Sequence, residues 1–506
     1  MGCTLDELVE ALVEALAHPR AHPRADPLAD ASPPVVVVAA PEGDGDGDGD
    51  GDGDGDGPGG ACVISGITHD SRRVTPGSVF CCVPGATADG HDYAAAAVEA
   101  GAIALLVERV LPVGVAQVVV PSVRVAMGYC AAAVFGHPAS RLTVVGVTGT
   151  NGKTTVTSLI AGVLAATGRS VGMIGTLTGT HTTPEAPDLQ AALAGFVASG
   201  RDTVAMEVSS HALALHRVNG AHFDVAVFTN LGRDHLDLHE TMEQYFAAKA
   251  ALFEPRLSAH AVINVDDVHG RLLADTVTIP VTRISRSEAT DVQVGATRLS
   301  FQWRGQRFDV PLGGGFNVDN AMAAAAACAV LGVPLADIAA AMAAVPAVPG
   351  RFEAIEAGQG FDVVVDFAHT PDGLHAALQA GRDAVPGRVI VVFGAGGDRD
   401  PHKRPLMGAA AARWADVIVV TSDNPRSEDP SAIIDAIAAG IPANYRGQVV
   451  IQPDRRTAFV EAFALATGGD LVIIAGKGHE TTQTVGTKVY EFDDRAVARQ
   501  LLETGR

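Results

Sequence analysis

Residues 146–155 read Gly146-Val147-Thr148-Gly149-Thr150-Asn151-Gly152-Lys153-Thr154-Thr155. The apolar run Arg141-Leu142-Thr143-Val144-Val145-Gly146-Val147 leads into them, and a helical stretch from Thr154 to Ala166 leads out. A buried strand, a Gly-rich turn and a helix in succession let backbone N–H groups close on phosphate oxygens. Lys153 would add a point charge near the outer phosphates, and Thr154 a hydroxyl for Mg²⁺. The common pattern G-x-x-x-x-G-K-[ST] needs glycine at position 147, and Val147 stands there. The stretch is either a phosphate loop of another lineage or a Gly-rich turn that contains a lysine. Its neighbours decide.

Further apolar runs at Val204–Val208 and Val225–Thr229 continue an α/β pattern. Upstream, strands are expected at Val79–Val83, Ala102–Val107 and Gln117–Val120, with a helix at Tyr93–Ala100. Thr4-Leu5-Asp6-Glu7 is a capping box ahead of Leu8, Val9, Leu12, Val13 and Leu16 at helical spacing. Composition shifts again at Val345-Pro346-Ala347-Val348-Pro349-Gly350. Beyond it, Val389–Phe393, Val417–Val420 and Leu471–Ala475 each end in a polar, Gly-rich or Pro-containing loop, with helical stretches between them. That is the pattern of a Rossmann-like doubly wound parallel sheet, whose ligands bind at the carboxyl ends of the strands. The fold class is α/β, and the expected domains are about 1–140, 141–348 and 349–506.

At 506 residues, 47% of them hydrophobic, the chain can build more than one sizeable core. A formal charge of −22 argues against nucleic acid or an anionic membrane as partner. Cys3, Cys62, Cys81, Cys82, Cys130 and Cys328 form no C-x-x-C pair, which fits a reducing compartment. The acidic N-terminal stretch lacks a basic export region, and no apolar run is long enough to span a bilayer, so a cytoplasmic protein, not inserted in a membrane, is expected. Residues 43–57 alternate Gly and Asp, have nothing to bury and are expected to form a solvated surface insertion. They lack the intervening apolar residues of calcium-binding Gly/Asp repeats. Deleting 43–57 should leave turnover and the melting temperature nearly unchanged, and a large drop in melting temperature would show that the run packs or binds an ion.

Two strand ends follow the loop in sequence. One reads Glu207-Val208-Ser209-Ser210-His211, the other Thr229-Asn230-Leu231-Gly232-Arg233-Asp234-His235-Leu236-Asp237. Singly, Glu207 and His235 would be ordinary structural residues. As a pair beside a phosphate loop they point to a second Mg²⁺.

These stretches, with Gly315-Phe316-Asn317-Val318-Asp319-Asn320, Pro349-Gly350-Arg351-Phe352-Glu353 and Asp366-Phe367-Ala368-His369, fall in the order seen in Mur ligases, the ATP-dependent amide ligases of peptidoglycan synthesis. The chain resembles that family from about Asp70 to Glu480. The displaced glycine is the family's own form of the phosphate loop. The resemblance implies that Gly149, Thr150, Asn151, Gly152, Lys153, Thr154 and Thr155 cradle ATP. It assigns Thr154 to one Mg²⁺ and Glu207 with His235 to another. Asn317 would meet the adenine, and Arg351 and Asp366 would close on the nucleotide. Lys249 matches the lysine that such enzymes carbamoylate with CO₂, turning a cation into an anion that supports the metal pair. The implied chemistry is phosphorylation of a substrate carboxylate by ATP, then attack of an amine on the acyl phosphate.

Within the family the chain resembles the MurE type. Asp70-Ser71-Arg72-Arg73 and Pro84–His91 look like its UDP-sugar segment, which assigns Ser71, Ala86, Thr87 and Ala88 to the UDP-MurNAc-dipeptide. Ala86-Thr87 replaces a usual His-Gln. Thr182, Thr183, Ser209 and Arg217 match residues that position the same substrate, and Leu215 stands where some members have Gln. Ser422-Asp423-Asn424-Pro425-Arg426, with Arg399, Gly476 and Glu480, matches the signature for meso-diaminopimelate. The substrates implied are UDP-MurNAc-L-Ala-D-Glu, meso-diaminopimelate and ATP, handled by a monomer. The alternatives are the same ligase using L-lysine, a folylpolyglutamate synthetase, or a nucleotide-binding regulator without activity.

Overall fold

The strand Thr143–Thr148 is the third-from-edge member of a parallel sheet, and its burial explains its composition. Val144, Val145 and Val147 are fully buried, with Val145 and Val147 facing one core and Val144 the other. A strand covered on both faces reads as a near-continuous apolar run, and each such side chain contributes roughly 1.5–3 kcal/mol. The computed structural model describes residues 3–17, 36–38, 63–232 and 239–504. His235 and the Gly-Asp run 43–57 lie outside them.

The central sheet has six parallel strands in the order Val281–Ile284, Ala261–Asn264, Val225–Phe228, Thr143–Thr148, Thr203–Glu207, Val171–Ile174. Beside it lies a three-stranded antiparallel sheet of Thr290–Val294, Leu299–Trp303 and Gln306–Val310. The C-terminal sheet orders Glu353–Ala354, Asp362–Asp366, Leu471–Ala475, Val389–Phe393, Val417–Val420 and Gln448–Ile451, parallel except for its first strand. Its alternate residues feed two separate cores, Val389, Val391 and Phe393 on one face, Ile390 and Val392 on the other. Near the N-terminus a five-stranded sheet runs Val36–Val38, Ala116–Val119, Ala102–Val107, Ser78–Cys81, Gly66–Thr68.

The expected strands Ala102–Val107, Val389–Phe393, Val417–Val420 and Leu471–Ala475 form with the bounds read from sequence. The capping box forms as well: Thr4 N donates to Glu7 Oε2 at 2.7 Å and Glu7 N to Thr4 Oγ1 at 3.2 Å, opening the helix Leu5–Ala17. The five described cysteines are buried and unpaired, and burial pushes the Cys82, Cys130 and Cys328 thiols up to about 12.

Candidate active site

The phosphate loop occupies the carboxyl end of Thr143–Thr148 and the start of the helix Lys153–Ala166. Val147 is a strand residue, paired with Glu207 on one side and Val227 on the other, so the turn starts only at Gly149. Gly149 and Gly152 have φ of 146° and 86°. A Cβ at Gly149 would collide with Thr229 Oγ1 and one at Gly152 with Asn320 Oδ1, so both positions require glycine.

Two lysines converge on this turn. Lys153 Nζ donates to Gly149 O and Thr150 O, each at 2.9 Å, and Lys249 Nζ donates to Gly149 O at 2.8 Å. Lys249 is 1% exposed and lies 4.5 Å from the Tyr245 ring centroid. It reaches the loop from the helix Met242–Ala250, one turn after Tyr245, whose hydroxyl is 3.0 Å from Thr150 Oγ1.

Glu207 closes the adjacent strand Thr203–Glu207 and is 2% exposed. Its Oε2 accepts from Thr154 Oγ1 at 3.0 Å and Thr176 Oγ1 at 3.2 Å, and its Oε1 from Thr176 N at 2.8 Å. Arg351 arrives from beyond the central sheet and donates through Nη2 to Thr154 Oγ1 at 3.1 Å, its guanidinium 4.4 Å from the Phe367 ring centroid. Burial lowers the pKa of Arg351 and raises that of Asp366, and the attraction between the two opposes both effects. Asp366 accepts from Phe352 N and Ala368 N at 2.8 and 2.9 Å.

A cleft of about 1020 Å³ gathers Thr150 to Thr155, Glu207, Lys249, Arg351 and Asp366, together with Thr182, Thr183, Ser209, Arg217 and Arg399. The last group is held from behind. Thr183 Oγ1 donates to Glu207 O at 2.9 Å and accepts from Ser209 N at 3.0 Å, while Arg217 pairs with Glu185 at 2.6 Å. A hydroxyl and a carboxylate 3.0 Å apart form an oxygen donor set suited to Mg²⁺.

Some expectations depart from this picture. Asn317 does not line the cleft: its Nδ2 donates to Gly313 O at 2.7 Å and its Oδ1 accepts from Asn320 at 2.8 Å. Asn320, Phe316 and Asp319 line it instead. Helical spacing alone could have raised Asn320, which lies one turn further along the same helix, Phe316–Val330. Ser71 and Ala86–Ala88 stand apart from the cleft as well. Ser71 opens a short 3₁₀ turn that Arg73 ties to Asp188 of the helix Ala186–Ala198 at 2.8 Å. Ala86–Ala88 are exposed in a loop held at its base by His91, whose Nδ1 is 2.6 Å from Asp89 Oδ1 and whose Nε2 accepts from Glu108 N at 3.0 Å.

The remaining predicted residues gather at the carboxyl ends of three neighbouring strands of the C-terminal sheet. Arg399 follows Val389–Phe393, Asp423 to Arg426 follow Val417–Val420, and Gly476 and Glu480 follow Leu471–Ala475. Of this set the large cleft touches only Arg399. Asn424 Nδ2 donates to Glu480 Oε2 at 2.8 Å, and burial and Asp423 push the Glu480 carboxyl above its ordinary range. Gly476, at φ 114°, packs its Cα side against the Asp423 carboxylate, where a Cβ would lie 2.5 Å from Oδ2. Arg426 has φ 52°, a conformation L side chains seldom adopt, and its Nη1 donates to Gly397 O at 2.7 Å. Its backbone is clamped by the hairpin Thr482–Val485/Lys488–Glu491: Arg426 N donates to Thr484 O at 3.0 Å and Gly486 N to Arg426 O at 2.6 Å. The hairpin thus fixes the backbone at Arg426 from outside the loop itself.

Three family models match the chain: the Mur ligase family catalytic domain over residues 63–134, the Mur ligase middle domain over 147–328, and the Mur ligase glutamate ligase domain over 350–478. The UDP-N-acetylmuramoyl-L-alanyl-D-glutamate–2,6-diaminopimelate ligase of Geobacillus kaustophilus is 47% identical over 466 residues, covering 87% of this chain and 95% of that one. A solved structure of a ligase with the same name is 34% identical with a TM-score of 0.65, covering 88% of this chain and 95% of that one. The Mycobacterium tuberculosis folylpolyglutamate synthase complexed with ADP shares the fold alone, at 21% identity and TM-score 0.56 over 70% of this chain and 91% of that one. Three matching models and a relative 47% identical over most of both chains agree: the chain belongs to the Mur ligase family.

Proposed function

We propose that this chain joins meso-2,6-diaminopimelate to UDP-N-acetylmuramoyl-L-alanyl-D-glutamate with ATP, in the cytoplasm, forming ADP and phosphate. The observation that carries the reading is the cleft in which Lys153, Thr154, Glu207, Lys249 and Arg351 meet, supported by the 47% identity to a ligase of that name. The division of labour follows domains near 1–140 for the UDP-sugar, 141–348 for ATP and 349–506 for the amino acid.

A free carboxylate is a poor electrophile, and its approach to ATP sets two anions together. Lys153 and the loop N–H groups hold the phosphates, and Arg351 brings a further cation from the last domain; such fixed charges are worth most in a site shielded from water. Thr154 would hold one Mg²⁺ and Glu207 with His235 another, and the two would offset the charge of the phosphates. Lys249 would serve as a carbamate derived from CO₂. Phosphorylation of the D-glutamate side-chain carboxylate gives an acyl phosphate. The diaminopimelate amine attacks its carbonyl carbon, the tetrahedral intermediate expels phosphate, and the attacking nitrogen loses a proton. Thr182, Thr183, Ser209 and Arg217 orient the dipeptide. Asp423, Asn424 and Glu480 receive the amino-acid ammonium, and Arg426 with Arg399 takes the far carboxylate.

Phosphate release from ATP tests the reading, with UDP-MurNAc-L-Ala-D-Glu present and each amino acid added in turn. Release should require both the dipeptide and diaminopimelate. Release with L-lysine alone would move the chain to the lysine-adding branch. Release with a folate in place of the dipeptide would support the folylpolyglutamate reading, and no release with any amino acid would support the regulator.

A further inference from the structure

Arg455 and Asp494 form an ion pair in which both side chains are fully buried. Arg455 Nε and Nη2 donate to Asp494 Oδ1 and Oδ2 at 2.8 and 2.6 Å, a two-pronged geometry that only arginine supplies. Arg455 opens the helix Arg455–Leu465, and Asp494 opens the helix Asp494–Thr504, the last described one. Neither belongs to the substrate-binding set above.

The rest of the guanidinium reaches toward that set. Nη1 donates to Ser422 O at 3.2 Å and Nη2 to Ala475 O at 3.1 Å. Each carbonyl immediately precedes a binding residue: Asp423 after Ser422, Gly476 after Ala475. The two strands concerned are not neighbours, because Val389–Phe393 runs between them. Sheet hydrogen bonds therefore do not fix the distance between their loops directly, and Arg455 spans the gap. Its charge also lies close enough to Asp423 and Glu480 to be stabilised by both.

We propose that Arg455, held by Asp494, is a positioning residue that sets the separation between the Asp423–Arg426 loop and the Gly476–Glu480 loop, and so the fit of the amino-acid substrate. The proposal rests on the reading of those loops as the diaminopimelate site. A displacement of about 1 Å between groups that must grip one ligand costs up to about a hundredfold.

The test compares the full chain with Arg455→Lys, which keeps the charge but cannot span both carbonyls and the carboxylate. Removing a partner from a buried pair is strongly destabilising, so the milder Asp494→Asn is measured beside it. In the phosphate-release assay, KM for diaminopimelate should rise about ten- to a hundredfold in folded variants. KM for ATP and kcat at saturating amino acid should stay near wild type. Unchanged KM for diaminopimelate, or an equal rise for ATP, overturns the positioning role, as does failure of both variants to fold. A wild type that releases phosphate with some other amino acid and not with diaminopimelate overturns the reading of the site instead.

Discussion

Lys249→Ala should reduce turnover by roughly a thousandfold or more while leaving a folded protein, and short carboxylic acids such as acetate should restore part of the rate. The magnitude is that of removing a preorganised electrostatic group from a closed site. Lys249 is 1% exposed, with its Nζ on Gly149 O and its stem beside Tyr245, so its nitrogen sits under the turn that holds the phosphates. A lysine kept there only for structure would stabilise the loop through that hydrogen bond, worth about 1.5–3 kcal/mol for a charged donor. Its loss would then appear as a lower melting temperature and a raised KM for ATP, and no small anion could compensate. A carbamate predicts the opposite pattern. The missing element is a negative charge, and a carboxylic acid diffusing into the cavity left by alanine supplies one. Full activity in Lys249→Ala would remove the carbamate from the mechanism, and loss of activity without any rescue would favour the structural role.

Much of this arrangement could be read from sequence because it is local. Gly149, Gly152 and Lys153 lie within five residues of one another, and apolar runs such as Val389–Phe393 are buried on both faces, so their composition matches their environment. The antiparallel strands Leu299–Trp303 and Gln306–Val310 carry only a short hairpin signal, Arg304-Gly305, a two-residue turn with both φ positive. Gln448–Ile451 is harder to read, because its apolar run Val449-Val450-Ile451 is only three residues long and lies on an edge strand whose side chains are largely exposed. Asn317 is a different case: two asparagines three residues apart on one helix are equivalent in sequence, and only the packing shows that Asn317 hydrogen-bonds Gly313 O while Asn320 lines the cleft. The Arg455–Asp494 clamp spans 39 residues and has no motif at all.

Wild type should strongly prefer meso-diaminopimelate to L-lysine, and Arg426→Ala should erase most of that preference. The two amino acids share one amino-acid head, and only diaminopimelate carries a carboxylate at the far end. A site that requires this group needs a planar, permanently charged fork, which arginine provides and lysine cannot. Arg426 is held for that task at some conformational cost. Its φ of 52° is imposed by backbone hydrogen bonds to Thr484 and Gly486 of the hairpin, and Nη1 is fixed by Gly397 O. Gly396 allows the approach, since a Cβ there would stand 2.9 Å from Nη1. A charge-assisted bond is worth about 1.5–3 kcal/mol, so alanine should cost roughly ten- to a hundredfold in kcat/KM for diaminopimelate. L-Lysine offers no carboxylate to lose, so its kcat/KM should change little, and the ratio of the two values is the decisive readout. Alanine at 426 also relieves no backbone strain, because it too carries a Cβ at positive φ, so a change in that ratio reports the guanidinium and not the loop. Equal use of both amino acids by wild type would refute the diaminopimelate assignment and leave the ligase chemistry standing. A preference that survives Arg426→Ala would shift the clamp to Arg399, which lines the neighbouring cleft.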